Sequence, residues 1–337
     1  MIYLSLTLKV LLIEYLVLLI SALIHYIFSL LLKLKIAGFY IIPFNIYKVK
    51  SKYKFKISLL ENNIINFNFY FNFVNLSSKL DYFRLLKKLK LYFWISPILD
   101  FSIFIILFSI GITTVSHPYF LLASIIHFSI ATINFFNHSG KKTIGATEDE
   151  RLAFNLIRDY TICGNGIVTH STKGILTDMH MYISNKNLIK PFDINDLWNF
   201  LNNISFYKNS LISYINKDIF ILHPYTLDFF NQLEKDFYII KKYDYRQSEK
   251  VSIALLYYYI FKKINDDSFT PRDDISKSML SNFKYNYYKY LYNLYFNNDI
   301  KNMNYLLNID NMPTSILTRE GYRKLMLKLI YIYQIKH

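Results

Sequence analysis

Four ionisable side chains, Glu14, His25, Asp100 and His127, stand inside stretches otherwise dominated by Leu, Ile, Val and Phe. A charge in such surroundings is costly, so each is a candidate for chemistry: an imidazole for metal ligation or proton transfer, a carboxylate for ligation or general-base work. Glu14, near the end of its apolar run, is expected to snorkel to an interface. His127, a lone imidazole on an apolar helix, is expected to hydrogen-bond a neighbouring helix. His25 and Asp100 sit in more informative settings, Ser21-Ala22-Leu23-Ile24-His25 and Ser96-Pro97-Ile98-Leu99-Asp100. A His25–Asp100–His127 cluster can be drawn, but no spacing supports it. Further on, Thr147-Glu148-Asp149 offers two adjacent carboxylates, while His170, Asp178 and His180 are metal-ligating types at a spacing that fits no strong template. Cys163 is the one cysteine, so neither an internal disulfide nor a Cys-based zinc site can form from this chain; Cys163-Gly164-Asn165-Gly166 reads as a turn. Gly140-Lys141-Lys142-Thr143 lacks the upstream glycine of a phosphate loop, and no dinucleotide, kinase or deaminase signature is present.

The elements that must position these residues are membrane elements. Of 337 residues 53% are apolar, and the excess is concentrated before residue 137, which divides the chain into a membrane domain (1–142) and a more polar domain (143–337). Three runs, Val10–Leu32, Leu91–Ile112 and Tyr119–Phe136, each reach across roughly 30 Å of hydrocarbon. The first continues past the length of a signal-peptide core and reads as an anchor. Between the first two runs lie many lysines, from Lys33 to Lys90, against Glu61 and Asp81, whereas Thr113–Pro118 carries no charge. The excess of lysine is expected to place the chain in a cell membrane with the long loop and the second domain in the cytoplasm and the N-terminus outside. The net charge of +15 then serves orientation and contact with membrane lipid. Nucleic acid is not expected as a partner, because Lys, Asn, Ile, Tyr and Phe are enriched together, as in an AT-rich bacterial coding sequence.

The expected fold class is an integral membrane, mainly α protein: three transmembrane helices, a cytoplasmic β-hairpin insertion at about residues 39–75, and a cytoplasmic helical domain. Lys48, Lys50, Lys52, Lys54 and Lys56 alternate with apolar residues, and after Glu61-Asn62-Asn63 asparagines alternate with Phe67, Phe69, Phe71 and Phe73, a two-residue period with a polar break. Lys79–Lys90 suits an interfacial amphipathic helix. Segments Ile194–Asn203, Thr226–Tyr243, Glu249–Ile264, Ser276–Phe296 and Thr318–Ile335 carry apolar residues at helical spacing without a fixed repeat. The many tyrosines there are read as core.

The order of these features resembles the site-2 protease family, the intramembrane zinc metallopeptidases. Its first core helix carries HExxH, two imidazoles on one face for zinc and a glutamate beside the metal-bound water. Ser21-Ala22-Leu23-Ile24-His25 matches that stretch, with the last histidine alone retained. Ser96-Pro97-Ile98-Leu99-Asp100 is similar to the small-Pro-x-x-Asn opening of the second core helix, with Asp100 at the asparagine. Asn134 ends the third span as the family's Asn does, and Glu148 or Asp149 stands where the third ligand is expected.

What the resemblance implies is limited by what is missing. Ser21 replaces the first imidazole and Ala22 the general base, so two parts of the hydrolytic mechanism are gone. The expectation is a degenerate, catalytically inactive member that binds a membrane peptide or a partner transmembrane helix, in peptide maturation, export or immunity, with Asp100 and Asn134 as binding residues. Zinc, if held, would take His25, Glu148 and Asp149, but it is expected to be absent. Two alternatives stand beside this reading: an active metalloendopeptidase with altered ligands, and a membrane scaffold whose helical domain recruits partners.

Overall fold

A computed structural model describes residues 2–34, 36–41, 44–49, 52–57, 68–71, 78–114, 118–138, 169–186, 197–243, 248–313 and 316–336. It is mainly helical with a small sheet, and it divides into two units.

The first unit contains three helices, α1 (Ile2–Leu31), α2 (Lys79–Thr113) and α3 (Tyr119–His138). Two helical stretches, Ser5–Leu31 and Leu80–Thr113, are long and apolar enough to cross a membrane; the apolar part of the third, Tyr119–Thr132, is shorter. α1 ends in a Schellman turn: Lys33 adopts a left-handed φ of 56°, its N–H donates to Leu30 O and that of Leu34 to Ser29 O. The separate interfacial helix expected over Lys79–Lys90 is instead the first part of α2, whose 35 residues span about 52 Å. Nothing between Lys90 and Leu91 breaks a helix, and Pro97, inside α2, forfeits one backbone hydrogen bond without ending it.

Between α1 and α2 lie β1 (Ile36–Ile41), β2 (Phe44–Val49), β3 (Lys52–Ile57) and β4 (Asn68–Phe71). They form one antiparallel sheet in the order β3-β2-β1-β4. The alternating lysine stretch is thus not one strand but parts of two. β2 and β3 pair from Phe44↔Ile57 to Val49↔Lys52, which leaves a two-residue connection, the commonest length for a hairpin. The Phe/Asn strand pairs with β1, not with the lysine strand. Alternation identifies a strand but not its partner, which here is settled by connections too short to show in the pattern.

The second unit contains α4 (His170–Lys186), α5 (Leu197–Ile215), α6 (Pro224–Lys235), α7 (Phe237–Tyr243), α8 (Ser248–Asn265), α9 (Asp273–Asn282), α10 (Asn286–Phe296), α11 (Met303–Leu307), a short 3₁₀ turn and α12 (Ile316–Lys336). α8 is its axis: Val251, Ser252 and Ala254 through Ile260 are all buried, and α5, α6, α7, α9 and α10 pack around it. A helix apolar on every side must be enclosed on every side. Its tyrosines carry hydroxyls to the rim of the core, where Tyr258 donates to Asn231 and Tyr259 to Glu234 at 2.8 Å. Phe230 of α6 stacks on Tyr258 with ring centroids 5.0 Å apart and planes 10° from parallel. Tyr257, Tyr258 and Tyr259 are core residues, whereas Tyr238, Tyr285 and Tyr331 are exposed.

Phe230 is fully buried, so Phe230→Ala is expected to cost about 3–5 kcal/mol of stability in this unit. A chemical-denaturation midpoint of the purified full chain, followed by tyrosine environment, checks it. A change below 1 kcal/mol would contradict the stacked core.

Candidate functional site

α1 buries one stripe, Val10, Glu14, Val17, Ser21, His25 and Ser29, spaced four, three, four, four and four residues apart. Its opposite side, Leu8, Leu11, Leu12, Leu16, Leu19, Ile20, Leu23, Ile27 and Leu30, is exposed. The polarity is inverted relative to a helix of a water-soluble fold, where leucines turn in and polar residues turn out. α3 repeats the inversion in part, and α2 sets one inward carboxylate among buried apolar residues, Leu86, Leu89, Ile103 and Leu107. Asp100 is buried while Ile98, Ile105, Ile106 and Phe108 are exposed, and Ser124 and His127 are buried while Leu122, Ile125, Ile126 and Phe128 are exposed.

The inward polar groups form two clusters. In one, His25 of α1 meets α2: its ring lies edge-on to Tyr92 with centroids 5.7 Å apart, and the Asp100 carboxylate is close enough to act electrostatically on both. All three residues are buried. In the other, His127 of α3 faces Glu14 of α1, with Nδ1 and Oε2 separated by 3.9 Å. Glu14 Oε1, both His127 ring nitrogens and Ser21 Oγ have no hydrogen-bond partner among the described residues. Near the start of α1, Val17, Ile103 and Leu107, with Ile13 and Phe120, close the apolar packing between the three helices.

These positions correct two expectations. Glu14 does not snorkel; it is 9% exposed and turned toward His127. His127, expected to hydrogen-bond a neighbouring helix, faces Glu14 of α1 at 3.9 Å, eleven residues before His25, and neither ring nitrogen has a hydrogen-bond partner among the described residues. The structure does bring His25 and Asp100 together, and it adds Tyr92, which the sequence reading passed over as an ordinary aromatic. Tyr92 lies eight residues before Asp100, about two helical turns, and that spacing was the available signal. Ser21 shares the buried face of α1 with His25, one turn away. Asn134 lies in α3, with only its backbone described; Glu148, Asp149 and the Cys163 turn lie outside the described residues.

A catalytic zinc requires three protein ligands and an open position. At His25 the described residues bring one imidazole and one carboxylate, and no group of three His, Cys, Asp or Glu suited to a metal occurs among them.

His170, Asp178 and His180 do not converge either. His170 stacks on Phe220, while His180 is buried and accepts a hydrogen bond from the backbone N–H of His223 at 2.9 Å through Nε2. His223 caps α6: its Nδ1 accepts from the Tyr225 N–H, which leaves the Nε2 proton for Asn185 Oδ1 at 2.9 Å. Both imidazoles are held neutral. Burial, with His223 beside it, lowers the His180 pKa to about 3, and burial also lowers that of His223. These histidines join α4 to the segment before α6 and are structural.

Comparisons with protein-family models, with curated proteins and with solved structures find no match.

Two expectations follow from this geometry. Asp100→Ala removes the carboxylate facing both His25 and Tyr92, and it should lower stability of the first unit by about 1–3 kcal/mol, the usual loss on orphaning a buried polar partner; an unchanged melting curve would contradict the cluster. The neutral His180 has a depressed folded pKa, so its contribution is complete above its unfolded pKa of about 6.5 and is lost as pH falls toward 3. Amide-exchange protection at Phe220, His223 and Tyr225 should therefore decline between pH 7 and pH 5, at up to about 1.4 kcal/mol per pH unit for one such histidine. Protection that rises over that range would contradict it.

Proposed function

We propose that this chain is a multi-pass membrane protein with a site-2-protease-like membrane unit that binds a membrane peptide or a partner's transmembrane helix without hydrolysing it. The observation that carries the reading is the inverted polarity of α1, together with the ionisable groups that α2 and α3 turn inward. Leu and Ile face outward, where lipid would cover them, while Glu14, Ser21, His25, Asp100 and His127 face inward. Ionisable groups at membrane depth turn toward one another or toward a bound partner, because lipid cannot hydrogen-bond them. Two further features support it: α1 and α2 are long enough to span, and His25 and Asp100, the two residues that the family resemblance aligns on successive core helices, lie in one cluster.

Non-hydrolytic binding rests on chemistry. With Ala22 in place of a carboxylate, nothing at that position can take a proton from water, and Ser21 is a poor zinc ligand beside an imidazole. What remains is a row of polar groups able to hydrogen-bond an unwound peptide or a polar residue of a partner helix, the mode by which helices recognise one another in lipid. The surrounding lysines place the sheet and the second unit on the cytoplasmic side. In this reading Asp100 and Asn134 contact the bound peptide, and membrane lipid covers the leucine faces.

Zinc content of the detergent-purified chain, measured beside His25→Ala and Asp149→Ala, tests the non-hydrolytic part. Substoichiometric zinc in all three is the expected result, and stoichiometric zinc lost in both variants would favour the metallopeptidase alternative. Cys163, the one cysteine, reports topology: a membrane-impermeant maleimide should label it in inverted vesicles and not in intact cells. Labelling in intact cells would overturn the orientation.

A further inference from the structure

The segment between α5 and α6 is attached to one face of α4. Phe220 N–H donates to Thr177 Oγ1 at 2.9 Å, His223 N–H to His180 Nε2, and the His170 ring packs on Phe220 with centroids 4.8 Å apart. Lys173, four residues before Thr177, lies on that same face. At the end of α5, Lys217 takes a left-handed φ of 60° in a Schellman turn, with Lys217 N–H donating to Tyr214 O and Asp218 N–H to Ser213 O, and its side chain is exposed. Lys328 of α12 completes the group. Its pKa is lowered to about 8, first by burial and then by Lys217 and Lys173, against the opposing pull of Asp218. Lys173 and Lys217 are thus near enough to Lys328 to act on it electrostatically, as is Asp218, which is buried and accepts a hydrogen bond from Asn216 at 2.7 Å.

Apolar side chains border this cluster in an unusual state. Phe220 and Ile221, which follow Lys217, are 46% and 58% exposed, and on α12 Leu327, Tyr331 and Ile335 form an exposed stripe at 45%, 63% and 65%. The stripe shares its helix face with Lys324 and Lys328, spaced three, one, three and four residues along the chain. Mutually repelling lysines held beside exposed aromatic and aliphatic residues are the two halves of a membrane-surface contact: phosphates for the ammonium groups and acyl-chain boundary for Phe, Ile, Leu and Tyr.

We infer that Lys173, Lys217 and Lys328, with Phe220, Ile221, Leu327 and Tyr331, form a docking face of the second unit for an anionic lipid surface. The inference rests on the membrane reading above, which tethers this unit beside a leaflet. Charge complementarity selects the occupant. The cluster carries three positive charges against one negative, and each basic residue near an anionic leaflet adds to the attraction. The bound headgroup phosphates would relieve the repulsion among the lysines, and the exposed rings would gain cover.

The test uses the full chain in lipid nanodiscs with Cys163→Ser and Ile221→Cys carrying a bimane label, and nitroxide-labelled lipid as quencher. Discs rich in phosphatidylglycerol should quench the label at least twofold more than phosphatidylcholine discs. Lys173→Glu/Lys217→Glu/Lys328→Glu should abolish that difference, and so should the gentler Lys173→Gln/Lys217→Gly/Lys328→Gln, which spares the left-handed backbone at 217. Lys250→Glu/Lys277→Glu, exposed lysines on other helices, should leave it intact. Equal quenching in both lipids, or a loss caused equally by the control pair, would overturn the docking face while the membrane reading stands. Protection of the label by a soluble protein or nucleic acid in place of lipid would overturn it likewise. A chain that fails to enter nanodiscs would overturn the membrane reading and this inference with it.

Discussion

The constraint on which the proposed membrane unit depends is that polar groups in hydrocarbon turn away from lipid and toward one another. Glu14, Ser21, His25, Asp100 and His127 are all turned inward, and that one requirement fixes the rotation of each of the three helices about its own axis. Once Glu14 faces His127 and His25 faces Asp100 and Tyr92, the leucine sides have no direction left but outward. Small residues permit the approach: Ala123 and Ala131 are fully buried on α3, and a Cβ at Gly111 would meet the Leu121 side chain at 2.7 Å and its backbone nitrogen at 3.0 Å, where α2 passes to α3.

The second unit answers the opposite constraint. Its helices hide Val251, Leu255, Tyr258 and their neighbours around α8, and the hydroxyls of Tyr258, Tyr259 and Tyr295 are directed to Asn231, Glu234 and the Leu329 carbonyl, which Tyr295 reaches at 2.7 Å. Tyrosine suits such a core, since it fills volume like phenylalanine and ends in a group that needs an acceptor at the edge. The neutral pair His180 and His223 works in the same way, with ring nitrogens consumed by backbone N–H groups. The membrane function proposed above accounts for both, since inward polar groups suit lipid and a buried apolar core suits water.

How much of this was legible in the sequence depends on the range of the interaction. Length and hydropathy are local, so the two long apolar helices and the boundaries of α8 and α12 were readable. Caps are local too, but weak ones escape notice. Thr226–Tyr243 is two helices, α6 and α7, meeting at Asp236, and Ser276–Phe296 is two, α9 and α10, with Phe283 after the first. No proline or glycine marks either break. α4 was missed because its polar residues, His180 and Ser184, are buried and so blur the apolar period. Helix–helix pairings are not local. That His25 and Asp100 meet was suggested only by the family resemblance, and that Glu14 takes His127 was signalled by nothing in either stretch.

The account stands or falls on the orientation of α1. Single spin labels placed in turn along residues 10–30 of the Cys163→Ser chain in nanodiscs, read by oxygen accessibility, measure it directly. The prediction is a 3.6-residue period with maxima at Leu12, Leu16, Leu19, Leu23 and Ile27 and minima at Glu14, Ser21 and His25. The opposite phase, or uniform access of a water-soluble relaxant along the helix, would contradict it.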